Sequence, residues 1–117
     1  MNKRGEQAEQ LACDYLQQQS LSLICKNYHC KRGEIDLIMQ DSDSLVFIEV
    51  RYRKSAHFGS ALESVNRQKQ QKIIITAEHY LSQCSHSFLS YRFDVVAITP
   101  DNEQPTIEWI KDAFQLE

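Results

Sequence analysis

The chain is most regular at residues 33–53, GEIDLIMQDSDSLVFIEVRYR. Apolar and polar residues alternate through GEIDLIM (33–39) and through SLVFIEVRYR (44–53), which is the period of a β-strand. The polar linker QDSDS between them is typical of a hairpin turn. With the turn at Ser42 and Asp43, the numbers of antiparallel partners add up to 85. This stretch therefore predicts a tight hairpin in which Asp36 lies opposite Glu49.

Alternation also predicts which face of the sheet each hairpin residue occupies. It places Ile35, Leu37 and Met39 on one face of the first hairpin strand, and Asp36 and its alternating neighbours on the other. In the second strand, Val46, Ile48 and Val50 share one face. Glu49 then points to the opposite face.

The segments around this hairpin predict the remaining elements. Apolar residues three or four positions apart predict helices over residues 2–19 and 61–82. Apolar runs predict strands over residues 21–28 and 91–99, and TIEWI, residues 106–110, is an element of undecided type. Short links make the first three strands an antiparallel meander, whereas the long helical link places the fourth strand parallel to the third. The prediction is an α/β fold, with a mixed central sheet flanked by helices.

Length and composition predict one domain, residues 1–117, with 42% hydrophobic and 25% charged residues. These values exclude disordered, collagen-like and disulfide-scaffold classes. A targeting signal and an apolar run long enough for a membrane span are both missing from the sequence, so we expect a cytoplasmic protein with no membrane partner. The four cysteines then read as reduced thiols. Cys25 and Cys30 lack the second ligand pair that structural zinc usually needs.

The acid pair in the hairpin carries the clearest chemical signal. Two carboxylates that face each other across a ladder repel, and burial increases the cost of charging both. Either one is protonated or a cation lies between them, and Mg²⁺ with its oxygen ligands fits such a pair. Arg51 follows Glu49 on the same face, about 7 Å along the strand. Acids, a metal and a cation together suit phosphodiester hydrolysis. The alternative interpretation, which stays open, is a cluster of ion pairs without metal, formed by Asp36, Glu49, Arg51 and Lys69.

These segments resemble a known family. GEIDLI and VFIEVRYR, with GEQAEQLACDYL in the first helix, FG at 58–59 and RFDVV at 92–96, are similar to the YraN-type family of small bacterial proteins. That family resembles the PD-(D/E)xK nuclease superfamily and its archaeal Holliday-junction resolvases. The resemblance implies a restriction-endonuclease-like αβββαβ core. It also implies a Mg²⁺- or Mn²⁺-dependent endonuclease that acts on structured or branched DNA, and, by analogy with the resolvases, a homodimer.

The resemblance also assigns roles to individual residues. Asp36 and Glu49 match the aspartate and glutamate of the motif, and Arg51 occupies the position that lysine usually holds. Glu6 matches the acid that several resolvases contribute to the metal site. The implied metal ligands are Glu6, Asp36 and Glu49, and the implied catalytic residues are Asp36, Glu49 and Arg51. Arginine stays protonated, so it can stabilise a transition state but cannot act as a base. A helix-dipole acid explains Glu6 as well.

Positive charge is concentrated between residues 51 and 72, which hold six basic residues and one acidic residue. A basic cluster beside the acid pair predicts contact with a phosphate backbone. The predicted nucleic-acid contacts are Arg53, Lys54, Arg67, Lys69 and Lys72. A solvated helix face explains Arg67 and Lys72 equally well. Lys69 interrupts an apolar stripe, so it either extends past the edge of the core or reaches into the site, where it or Lys72 could supply the missing amine.

The overall charge of −3 conceals this cluster. Residues 81–117 hold two basic and six acidic residues, whereas residues 1–80 are close to balanced. Asp94 in the fourth strand is predicted to be a buried partner of Arg92 or a backbone cap rather than a metal ligand. Trp109 is predicted to lie in the core or at an interface. Two further functions remain open: a non-catalytic nucleic-acid-binding module on a nuclease scaffold, and a structural partner in a larger DNA-processing assembly.

Overall fold

The computed structural model describes residues 3–54, 61–85, 87–100 and 103–115. Two helices and five strands make up this part of the chain. In chain order they are α1 (Lys3–Gln18), β1 (Ser22–Cys30), β2 (Gly33–Asp41), β3 (Ser44–Tyr52), α2 (Arg67–Gln83), β4 (Ser90–Thr99) and β5 (Thr106–Phe114). A short 3₁₀ helix, Leu62–Ser64, precedes α2. The predicted order is confirmed, and the undecided segment at residues 106–110 is the start of a fifth strand.

All five strands form one sheet in the order β1-β2-β3-β4-β5. β1, β2 and β3 pair antiparallel, β3 and β4 pair parallel, and β4 and β5 pair antiparallel. The parallel pair follows α2, so the predicted crossover is confirmed. Within the described residues, neither helix combines the length and apolar character that a membrane span requires.

Two apolar clusters fill the space between the sheet and the helices. The α1 cluster comprises Ala8, Ala12, Cys13, Leu16, Leu21, Leu37, Met39, Val46, Ile48, Val96 and Ile98. The α2 cluster comprises Ile35, Ile38, Leu45, Phe47, Ala61, Val65, Ile73, Ile74, Ala77, Phe93, Val95, Ala97 and Phe114. Consecutive residues of β4 alternate between the clusters, as the two-residue period of a strand requires. The helices therefore cover opposite faces of the sheet.

The β2–β3 hairpin has the predicted turn and register. Its pairs run from Asp41 with Ser44 to Leu37 with Ile48, and every pair adds up to the predicted sum. Ser42 has a φ of 56°, a positive value of the kind that favoured two-residue hairpin turns require. The predicted face of Ile35 is wrong, because Ile35 packs in the α2 cluster whereas Leu37 packs in the α1 cluster. Strict alternation therefore ends at the intervening residue, Asp36.

Both edge strands are irregular. The register of β1 shifts between Leu23 and Cys25, and Asn27 has a φ of 54°. At the other edge, the register between β4 and β5 shifts between Phe93 and Val95, and Asp112 has a φ of 52°. Bulges of this kind bend a strand and increase its local twist.

The second helix starts later than predicted. The predicted element began at residue 61, but α2 begins at Arg67 after Asn66, whose side chain accepts a hydrogen bond of 2.8 Å from the Lys69 N–H. An asparagine N-cap satisfies one of the free N–H groups at the start of a helix. The cap fixes Lys69 in the first turn of α2.

Asp94 is a structural residue, as predicted. Its carboxylate is fully buried and accepts hydrogen bonds from Arg92 Nε at 3.0 Å, Trp109 Nε1 at 2.9 Å and the Asp112 N–H at 2.9 Å. Trp109 is half-buried and packs at the edge of the α1 cluster against Tyr15. This carboxylate ties β5 to β4.

We expect Asp94→Ala to lower the free energy of unfolding by about 3–5 kcal/mol, because it leaves donors on Arg92, Trp109 and Asp112 without the buried carboxylate that they share. Chemical denaturation monitored by circular dichroism measures the loss. Glu108→Ala removes an exposed acid from the neighbouring strand β5 and should change stability by less than about 0.5 kcal/mol. Equal stability of the two variants would contradict the role assigned to Asp94.

Candidate functional site

The acid pair lies where the β2–β3 ladder opens. The Val50 N–H donates a hydrogen bond of 2.8 Å to Asp36 Oδ2, a side-chain oxygen, and the ladder pairs end one step before, at Leu37 and Ile48. A side chain therefore takes the place of a main-chain acceptor between the two strands. Glu49 is 5% exposed and stands across this opening from Asp36. The predicted proximity of the two acids is confirmed, although regular pairing stops just before them.

Burial and the neighbouring charge raise the pKa of Asp36. Desolvation and then the charge of Glu49 raise the pKa of Asp36 from 3.8 to about 8, and a hydrogen bond between the two carboxyl groups acts in the same direction. The Val50 N–H opposes this shift because it stabilises the charged form of Asp36. Asp36 is therefore largely protonated at neutral pH.

Two cations approach the pair from the α2 side. Lys69 Nζ lies 2.9 Å from Glu49 Oε2, and Arg51 Nη1 lies 3.7 Å from the same oxygen. Of the two alternatives for Lys69, the structure has the one in which the side chain reaches into the site. Arg51 Nε is buried and has no hydrogen-bond partner among the described residues. The Nε–H of Arg51 is therefore a buried donor, next to the carboxylates, that could donate a hydrogen bond to a bound ligand.

A cavity of about 170 Å³ opens onto these groups. Its walls combine the acid pair with residues from the start of β2 and the first turns of α2. They are Gly33, Glu34, Asp36, Glu49, Lys69, Lys72 and Ile73. The cavity thus has acids at its base, and its exposed lining residues include Glu34 and Lys72.

A third acid, Glu9 of α1, belongs to this cluster, although the sequence analysis does not predict it. Burial, followed by the charges of Glu34 and Glu49, raises the pKa of Glu9, and hydrogen bonds with the side chains of Asn27 and Asp36 partly oppose the rise. Asn27 Oδ1 is also buried, without a hydrogen-bond partner among the described residues. Glu9 therefore links α1 and β1 to the acid pair.

The first helix carries both Glu9 and the predicted ligand Glu6, one turn apart. Glu6 is exposed, whereas Glu9 is partly buried. At 100° per residue, Glu9 falls between Leu16 and Cys13 and therefore inside the buried stripe of α1, while Glu6 falls at its margin. A helical wheel could have revealed this difference. The metal role of Glu6 stays a prediction, and the contacts with Asp36 belong to Glu9.

The predicted nucleic-acid contacts do not all lie at the cavity. Lys69 and Lys72 line it, and Arg67 is exposed at the start of α2. Arg53 and Lys54 follow the end of β3. The FG segment at residues 58–59 lies outside the described residues. Of the His, Cys, Asp and Glu side chains in the described ranges, no three are arranged to hold a metal ion as they stand.

The fold and this site define a small α/β protein with a buried carboxylate pair that faces a cation-lined cavity. The chain belongs to the Uncharacterised protein family UPF0102, whose family model matches residues 8–98. It is 52% identical over 115 residues to a UPF0102 protein of Nitrosococcus oceani, covering 97% of this chain and 93% of that one. It is 56% identical over 116 residues to a UPF0102 protein of Saccharophagus degradans, covering 98% and 95%. The YraN-type resemblance is confirmed.

The raised pKa of Asp36 makes stability depend on pH. The folded state favours the protonated form of Asp36. The free energy of unfolding is therefore highest below pH 3.8, the pKa of Asp36 in the unfolded chain, and falls as the pH rises from there to about 8, its pKa in the folded protein. Asp36→Asn removes this loss, so the variant should gain stability relative to the parent across that range, by a few kcal/mol at about 1.4 kcal/mol per pKa unit. Urea denaturation in EDTA at a series of pH values measures the difference.

Glu34→Gln is the matched control, because Glu34 lines the same cavity but is exposed. Its stability relative to the parent should stay nearly constant over the same pH range. A constant difference for Asp36→Asn as well would show that Asp36 ionises normally in the folded protein.

Proposed function

We propose that this protein is a Mg²⁺- or Mn²⁺-dependent endonuclease that hydrolyses phosphodiester bonds in structured or branched DNA. The observation that carries the proposal is the buried pair of Asp36 and Glu49, with Lys69 and the unpartnered Nε of Arg51 beside it. Phosphodiester hydrolysis needs carboxylates that can hold a divalent ion and cations that stabilise a charged phosphate. Both kinds of group line one cavity here.

The donor atoms suit an oxygen-preferring divalent cation. Asp36 and Glu49 provide carboxylates, Glu9 adjoins Asp36, and Asn27 Oδ1 is a buried acceptor that lacks a donor among the described residues. A proton on Asp36 now reduces the repulsion, and metal ligands must lose such protons when they bind. When bound, a divalent ion of this kind supplies Lewis acidity and lowers the pKa of its water.

Each side chain of the site has a separate role in this proposal. Asp36 and Glu49 would hold the ion, and Glu9 would support Asp36 from α1. Arg51 Nε would donate to an oxygen of the scissile phosphate, which gives this buried N–H the partner it lacks. Lys69 would supply the amine that Arg51 does not, since its Nζ already reaches Glu49.

The topology supports the same proposal. Helix, three antiparallel strands, helix and a parallel fourth strand form the order of a restriction-endonuclease-like αβββαβ core. The acids lie on the second and third strands of that order, where the resemblance expects them. β5 extends the sheet beyond this core at the edge next to β4.

Cleavage of labelled DNA tests the proposal. The protein should cleave at least one of a four-way junction, a flap, a duplex and a single strand in Mn²⁺ or Mg²⁺, and EDTA should abolish the activity. Asp36→Asn and Glu49→Gln should each lower the rate by about 10²-fold or more, whereas Glu108→Gln on β5 should leave it unchanged. Intact substrates with every metal, or equal rates in all variants, would overturn the proposal.

A comparison of two variants tests whether Glu9 or Glu6 of α1 contributes to cleavage and metal binding. We expect Glu9→Gln to lower the cleavage rate by about 10–100-fold, the usual effect of losing an outer-shell partner. Glu6→Gln should change it by less than twofold, because Glu6 is exposed one turn away. The same ranking should appear in Mn²⁺ affinity measured by isothermal titration. If only Glu6→Gln impairs both, the role implied by the family resemblance is right and the geometric assignment is wrong.

One observation favours a second function, a non-catalytic nucleic-acid-binding module. Lys69 already pairs with Glu49 at 2.9 Å, and Arg51 occupies the position at which nucleases of the PD-(D/E)xK superfamily most often carry lysine. On this alternative the protein binds DNA but leaves it intact even when Mn²⁺ is bound. Arg51→Lys separates the two functions, since cleavage that appears only in this variant would show that arginine had silenced an assembled site.

A further inference from the structure

A group of three exposed cations lies beside the cavity. One of them, Lys72, is among the residues predicted to bind DNA, and the other two are not. We name Lys31, Arg32 and Lys72 the basic rim. Lys31 and Arg32 form the two-residue turn between Cys30 and Gly33, which pair with each other at the ends of β1 and β2. All three side chains are exposed, and none forms an ion pair within the described ranges. Exposed cations without acidic partners are available to an external anion.

The turn is held firmly against α2. A methyl group added at Gly33 would lie 2.9 Å from Thr76 Oγ1 and 3.6 Å from Lys72 Cβ, so glycine allows the turn to touch the helix. Thr76 is fully buried, and its hydroxyl donates to the Lys72 carbonyl oxygen at 2.8 Å. On the turn side, the Arg32 N–H donates to Cys30 Sγ at 3.4 Å. The three cations of the basic rim thus sit on a fixed base rather than on a loose loop.

The basic rim is continuous with the acid pair. Gly33 and Lys72 line the cavity that also contains Asp36 and Glu49. Arg32, in the turn before β2, and Asp36, within β2, are four residues apart, about 13 Å at 3.3 Å per residue of extended chain. One strand of DNA rises about 3.4 Å per nucleotide along the helix axis, and its successive phosphates are farther apart than this rise because the strand winds around the axis. The separation therefore spans only a few nucleotides. A strand with one phosphate at the acid pair would therefore bring a later phosphate to the rim.

Charge elsewhere on the hairpin favours the same approach. The opposite end of β2 carries Asp41 and Asp43 at the β2–β3 turn, and Arg92 is paired with Asp41 there at 2.9 Å. Glu34 is an acid at the rim end and is exposed beside Gly33. Glu34 offsets one of the three positive charges of the basic rim, whereas Arg92 offsets one of the two acids at the β2–β3 turn. The net charge is therefore positive at the rim and negative at the turn, so an extended polyanion is favoured at the rim.

We propose that the basic rim binds the DNA backbone a few nucleotides from the phosphate held at Asp36 and Glu49. The inference rests on the proposed endonuclease function and specifies how its substrate lies. Lys31 and Arg32 act on the backbone and so contribute affinity without sequence preference. They are positioning residues, because they touch neither the scissile phosphate nor the acids.

The test compares DNA binding by the full chain and by Lys31→Ala/Arg32→Ala. Fluorescence anisotropy with a labelled duplex and a labelled four-way junction is measured in EDTA, from 50 to 200 mM salt, the range over which phosphate contacts weaken strongly. We expect the variant to bind about tenfold more weakly at low salt and to lose about two units of salt slope, roughly one per phosphate contact removed. Its thermal melting should match that of the parent, because both side chains are exposed.

Lys26→Ala/Lys111→Ala is the matched control and removes the same charge elsewhere. Lys26 contacts Gln10 on α1, and Lys111 lies over the Trp109 ring of β5. The control should keep the parent salt slope. Equal losses in both double variants would show a general effect of net charge, and an unchanged slope in Lys31→Ala/Arg32→Ala would overturn the inference while leaving the endonuclease proposal in place. If the parent protein binds neither probe, the inference fails, whereas the endonuclease proposal is decided by the cleavage experiment in Mn²⁺ or Mg²⁺.

Discussion

The hydrogen bond from the Val50 N–H to the Asp36 carboxylate is the interaction on which the site depends. It takes a main-chain donor out of the β2–β3 ladder and gives it to a side chain, which opens the hairpin at one point. Through this opening Asp36 meets Glu49 from β3 and Glu9 from α1. A regular ladder would keep residues of opposite faces apart, whereas this local opening lets acids from two layers converge.

Two buried carboxylates need nearby positive charge to offset their repulsion, and both cations that supply it, Lys69 and Arg51, contact the same oxygen of Glu49. The Asn66 cap starts α2 at the point that brings Lys69 to Glu49. Arg51 adds a second positive charge along β3, and its unpartnered Nε is a buried donor of the kind that folded proteins rarely leave unsatisfied. The acids, the proton on Asp36 and the two cations form one electrostatic unit, so a change in any of them alters the others.

Much of the fold could be predicted, because a two-residue period and a short polar turn determine the register of a hairpin. The face of Ile35 could not, since alternation contains no sign that a side chain will accept a ladder hydrogen bond. Glu6 was favoured by family resemblance, although Glu9 lies inside the buried stripe of α1. The fifth strand stayed undecided because TIEWI is short, and its attachment depends on Asp94, which is distant in sequence.

The irregular edge strands have a consequence for assembly. A sheet whose outer strands are straight invites another sheet to continue it, and bulges that twist an edge away discourage this. Here both borders, β1 and β5, combine a register shift with a residue of positive φ, Asn27 and Asp112 respectively. Neither border offers a flat row of donors and acceptors. The irregular borders therefore disfavour an edge-to-edge joining of the sheets of two copies.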